Sequence, residues 1–118
     1  MKRIMPLWGL LLMMPALAVA DEYPTLDRVE YVYQCMRDHG GENYTSLYQC
    51  SCAIDYIASQ LSYDDYITAD TFTRGQHAAG ERGSIFREPP EAREMRSRLA
   101  DLQKAADQRC LVSRVSDR

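Results

Sequence analysis

From Pro24 onward the apolar residues recur every three or four positions and never in strict alternation, a pattern that predicts helices and no strands. Leu26, Val29, Val32, Tyr33 and Met36 mark a first helix over 24–39, which Gly40-Gly41 ends. Asn43 or Thr45 can cap a second helix, whose stripe of Leu47, Cys50, Ile54, Ile57, Ala58 and Leu61 is the cleanest in the chain. So short a turn makes these two helices an antiparallel hairpin. Ser62, with Asp65 three residues later, has the form of a capping box and opens a third helix bearing Tyr66, Ile67 and Phe72. Gly75, Gly80 and Gly83 then interrupt the periodicity, which predicts an ordered loop with room for a short helical turn. Pro89-Pro90 starts a long last helix along Ala92, Met95, Leu99, Leu102, Ala106 and Cys110. The fold class predicted is all-α, a small disulfide-stapled bundle of three or four helices.

The first twenty residues follow another logic. Lys2 and Arg3 precede an apolar run from Leu7 to Leu17, and Ala18-Val19-Ala20 supplies small residues around a cleavage point. The run is too short and too broken by Pro6 and Pro15 for a transmembrane helix. Met1 to Ala20 therefore read as a signal peptide, leaving a single domain over 21–118 with no membrane anchor after cleavage and a periplasmic or secreted location. That domain keeps twelve basic against seventeen acidic residues, so its formal charge is -5 where the whole chain has -3. Such a balance excludes nucleic acid as a partner.

Four cysteines, Cys35, Cys50, Cys52 and Cys110, enter an oxidising compartment in this reading, and an even number predicts two disulfides. Cys50 and Cys52 point about 200° apart on one helix and do not pair. Height along the hairpin favours Cys35 with Cys50 and hence Cys52 with Cys110. Facing favours the alternative, because Cys50 and Cys110 lie on the apolar stripes while Cys35 and Cys52 lie off them. Height is given precedence. Cys50-Ser51-Cys52 as a redox dithiol lacks the two-residue spacing and mixed α/β setting of thiol oxidoreductases. Cys35, His39, Cys50 and Cys52 have the types of a zinc set, but oxidation consumes the ligands, so no metal is expected.

The chain offers little for catalysis: His39 and His77 stand near no nucleophile motif, Ser84 lacks the flanks of a nucleophile elbow, and Asp64, Asp65 and Glu81 suit capping or solvation. A non-enzyme without a cofactor is expected. The candidate ligand or partner site is Arg74, Arg82 and Arg87, whose glycine-rich surroundings could converge planar guanidiniums on a carboxylate or phosphate. Glu81, Glu88, Glu91 and Glu94 interleave with these and later arginines, so the charges could equally pair along a solvated surface. All eight tyrosines fall between Tyr23 and Tyr66, and those not needed for packing would form an aromatic surface of the kind partner proteins use.

The run from Tyr48 through Cys50-Ser51-Cys52 to Ala58, with Thr71 to Gln76 and Gly80 to Arg87, resembles a family of small uncharacterised exported bacterial proteins. These accompany quinone-dependent (PQQ) alcohol dehydrogenase systems. The resemblance spans roughly residues 31 to 110 and carries over no catalytic residue. It implies an accessory role. The function expected is a non-enzymatic exported protein acting by contact with a periplasmic protein, an oxidoreductase among the candidates, through the Arg74 to Arg87 loop and nearby tyrosines. The alternative is a protein that binds a small anion or a metal.

Overall fold

The chain after Asp21 builds five helices in a computed structural model that describes residues 22–112 apart from 78 and 88. The segment read as a signal peptide and its cleavage point lie outside the described residues. α1 spans Thr25–Asp38, α2 Tyr44–Gln60, α3 Tyr63–Gly75, α4 Glu81–Arg87 and α5 Pro90–Cys110, and no strand occurs among the described residues. The architecture is the all-α, disulfide-stapled bundle that the periodicity predicts. The count differs, because Glu81–Arg87 is a seven-residue helix rather than a loop.

Local chemistry sets the boundaries. α1 ends through Gly40 and Gly41, whose φ of +113° and +84° suit glycine, and a Cβ on Gly40 would come within 3.3 Å of Ser46 Oγ. The Gly41 amide donates to Met36 O at 2.7 Å, closing the helix. Asn43 then caps α2 by accepting from the Ser46 amide at 2.9 Å, while its own Nδ2 donates to Gly40 O. Ser62 caps α3 in the same way, accepting from the Asp65 amide. Ser62→Ala is expected to lower stability by about 1 kcal/mol with α3 still formed, as read by denaturant titration.

The packing order follows from cross-helix contacts. α2 is central: α1 and α5 flank it, and α3 packs across α5. Arg28 on α1 donates to Asp55 on α2 at 2.6 Å, and Cys35 bonds to Cys50 further along, so α1 and α2 run antiparallel. Cys52 bonds to Cys110, and these two disulfides use all four cysteines. Height, not facing, is the criterion the fold obeys, because Cys35 is buried at the α1–α2 contact although it stands off the expected stripe.

That stripe is where the sequence reading of α1 fails. Of the expected stripe, Met36 is buried and Val32 packs at the edge of the core, but Leu26, Val29 and Tyr33 are exposed, and α1 also buries Cys35, with Tyr31 at the core edge. On α2, Cys50, Ile54, Ile57 and Leu61 are buried as expected, whereas Leu47 is exposed. α5 buries Ala92, Leu99, Ala106 and Cys110. Tyr23, ahead of the first helix, is among the most buried side chains. Its ring packs on Tyr63 and Tyr66, and its hydroxyl donates to Leu61 O at 2.8 Å.

Candidate functional site

The three arginines singled out by sequence lie on α3 and α4, and two of them bind their own chain. Arg74, in the last turn of α3, reaches Asp70 at 2.7 Å and Glu30 of α1 at 3.2 Å, so its charge is shared by two carboxylates. These hold its guanidinium still further above its ordinary range, Asp70 contributing most. Arg87 ends α4 and donates to Gln76 O at 3.1 Å and to Gly80 O, strapping the intervening turn. Arg82 is exposed on α4. Arg74 and Arg87 thus hold elements together, which leaves Arg82 as the guanidinium most available to a visitor. The geometry does not set the three around one anion.

Two other features carry more chemistry. The first is a cleft of about 590 Å³ bounded by α1, α3 and α5, with Arg74 on its wall. Tyr31 and Tyr66 line it together with Asp38, Asp70 and Asp107. Burial, and secondarily the Asp107 and Asp70 carboxylates, push the Tyr31 and Tyr66 hydroxyls well above their ordinary value of 10.0. The folded state therefore favours the neutral phenol. Its stability is complete below about pH 10 and falls as pH rises through that value toward the raised folded ones. Denaturant midpoints above about pH 10 are expected to drop in the wild type, and to drop less in Tyr31→Phe/Tyr66→Phe.

The second feature is a pair of exposed apolar stripes on the α1–α2 hairpin. Leu26, Val29 and Tyr33 form an exposed apolar stripe on α1, and Tyr44, Leu47 and Tyr48 form another on α2. Tyr44 is 80% exposed and Tyr48 75%. Tyr33 and Tyr48 each stand two residues before a bridging cysteine, Cys35 and Cys50, and hence point about 200° away from it. Because the bridge lies between the two helices, Tyr33 points away from α2 and Tyr48 away from α1, and both are exposed.

No family model, no curated protein and no solved structure matches the chain. The site must be read from its own chemistry. Four cysteines in two disulfides point to an oxidising environment, and no described helix is long and apolar enough to cross a membrane. Among the described residues no group of three His, Cys, Asp or Glu side chains is placed to hold a metal ion, and the cysteines of the Cys35, His39, Cys50 and Cys52 set are in disulfides. The sequence expected an aromatic surface from tyrosines not needed for packing, but periodicity assigned Leu26, Val29, Tyr33 and Leu47 to the core, so which residues form the exposed stripes was missed. Their signal is the density of apolar residues on α1, which is more than one buried stripe can use.

Proposed function

We propose that this is a non-enzymatic exported protein that works by binding another protein, and that the exposed apolar residues of the α1–α2 hairpin, Tyr44 and Tyr48 foremost, make the contact. The observation that carries this reading is the pair of exposed apolar stripes. Leu26, Val29 and Tyr33 repeat at spacings of three and four, as Tyr44, Leu47 and Tyr48 do within one turn, yet both stripes face solvent. Tyrosines on a rigid backbone suit a partner surface, because they offer large amphipathic area at small entropic cost. The Cys35–Cys50 bridge supplies that rigidity by holding the two helices in register.

The partner is a periplasmic protein, and the sequence resemblance supports one belonging to a quinone-dependent oxidoreductase system. Arg82 serves at most as a charged rim, since Arg74 and Arg87 are engaged within the fold. A photo-crosslinking residue at position 48 is expected to capture one protein reproducibly from the periplasm, while the same residue at the exposed position 104 captures none. Capture from position 82 and not from position 48 would move the contact to the arginine segment.

A further inference from the structure

The two disulfides differ in how far solvent reaches them. Cys35 and Cys50 are 8% and 0% exposed, so both ends of that bridge lie within the core. The other bridge is buried only at Cys110, which is 7% exposed, whereas Cys52 is exposed on α2. A thiolate must reach a sulfur to break a disulfide, so access sets the order in which bridges open. Cys52 is the end within reach. A basic group also stands beside it: Arg109 precedes Cys110 and lies 5.4 Å over the ring of Tyr56, one turn beyond Cys52 on α2. Its positive charge favours an approaching thiolate and steadies the thiolate that leaves. The one acidic residue of α2, Asp55, is engaged by Arg28 at 2.6 Å.

The same bridge holds down a chain end. α5 terminates at Cys110, and the next residue, Leu111, has a φ of +57°, a left-handed conformation that a residue with a Cβ disfavours. The Leu111 side chain is 75% exposed, so no packing of its own offsets that strain. The turn is kept closed by the bridge, by the Val112 amide donating to Asp107 O at 2.9 Å, and by burial of the Val112 side chain.

We propose that Cys52–Cys110 is a redox-sensitive latch: an external dithiol opens it while Cys35–Cys50 stays closed, and opening frees the last turn of α5 from α2. One thiolate of the dithiol attacks Cys52 Sγ, forming a mixed disulfide there and releasing the Cys110 thiolate. The second attacks the mixed disulfide, releasing Cys52 and closing the dithiol into its own disulfide. Two electrons and two protons pass from the dithiol to the two cysteines. The chain is the substrate of this exchange and not its catalyst, since Cys50 and Cys52 belong to separate bridges. Tyr48 stands one turn before Cys52, so a partner docked on Tyr44 and Tyr48 sits beside the latch, but the latch does not rest on that contact.

Graded reduction of the full, disulfide-bonded protein with dithiothreitol tests this, with samples quenched, alkylated and mapped by peptide mass. Cys52 and Cys110 are expected to open at least tenfold faster than Cys35 and Cys50, and the two bridges to open within about threefold of each other once denaturant removes the fold. Glutathione, which has one thiol, should leave its adduct on Cys52 and not on Cys110. Amide resonances of the opened protein should shift over the last turn of α5 and around Cys52, and stay in place along α1 and α3. Simultaneous opening, earlier opening of Cys35–Cys50, the same preference in denaturant, or an adduct on Cys110 overturns the proposal. So do resonances that move throughout the chain, which mark a staple of the whole fold, or that stay unchanged in α5. Tyr44→Ser/Tyr48→Ser should open like wild type, so that failure of the latch and failure of the proposed partner contact are separately visible.

Discussion

Replacing Cys52 and Cys110 together by alanine is expected to lower stability by about 4 kcal/mol, because the bridge they form closes a loop of about 58 residues in the unfolded chain. The arithmetic is that of loop entropy: the cross-link removes conformations from the unfolded ensemble, and the unlinked chain regains them. Packing loss adds little at Cys52, which is exposed, and only a small volume at Cys110. The effect matters because a domain of this size has a total stability of about 5 to 10 kcal/mol. Removing Cys35 and Cys50 should cost about 3 kcal/mol through their shorter separation of 15, plus a void at the fully buried Cys50. Urea titration of each double variant with the other bridge intact measures the two. Equal midpoints for wild type and Cys52→Ala/Cys110→Ala would show that the α2–α5 contact holds without its staple.

Tyr23→Ala is expected to cost about 3 to 5 kcal/mol, as for a large aromatic removed from a core. Tyr23 is only 1% exposed, though it stands in no helix. Its ring meets Tyr63 edge-on with centroids 5.4 Å apart and tilts onto Tyr66 at 4.9 Å. Its hydroxyl donates to Leu61 O, at the junction of α2 and α3, where the backbone leaves the helix and needs a partner. Arg28 reinforces the arrangement by donating to Tyr23 O and lying over its ring. This one side chain therefore ties the entry of α1 to the turn between α2 and α3. Tyr23→Phe keeps the packing and leaves Leu61 O unpaired, so a cost of about 1 to 3 kcal/mol is expected. A phenylalanine variant as unstable as the alanine one would contradict this division between ring and hydroxyl.

The parts of the fold legible in the sequence were those fixed locally. Asn43 and Ser62 are capping residues by chemistry, Gly40-Gly41 stops a helix by its dihedral freedom, and the pairing formed is the one that helix rise along the hairpin favours over side-chain facing. What depended on tertiary context was less visible. Periodicity gives α1 a stripe of Leu26, Val29, Val32, Tyr33 and Met36, of which Met36 and Val32 meet the core, while the burial of Cys35 turns Leu26, Val29 and Tyr33 to solvent. Tyr23 belongs to no periodic segment, so nothing local marks it as core. Glu81–Arg87 contains Gly83 and has low helix propensity, so its helix depends on neighbours such as α3 and α5.

The candidate site was legible only in its ingredients. Sequence can name Arg74, Arg82 and Arg87, but not that Asp70 and Glu30 engage the first or that backbone carbonyls engage the third.

That the protein works through the exposed apolar residues of α1 and α2 is tested most directly by affinity for the crosslinked partner at low and moderate salt. An apolar contact loses little with ionic strength, whereas a charge-dependent one weakens markedly. Wild-type affinity is expected to change less than threefold with salt. Tyr44→Ser/Tyr48→Ser should weaken it at least a hundredfold, and Arg74→Ala/Arg82→Ala/Arg87→Ala should leave it within about fivefold of wild type. Wild-type affinity in the tyrosine variant, with strong salt dependence and loss of binding in the arginine variant, would contradict the claim and return the contact to the α3–α4 arginines.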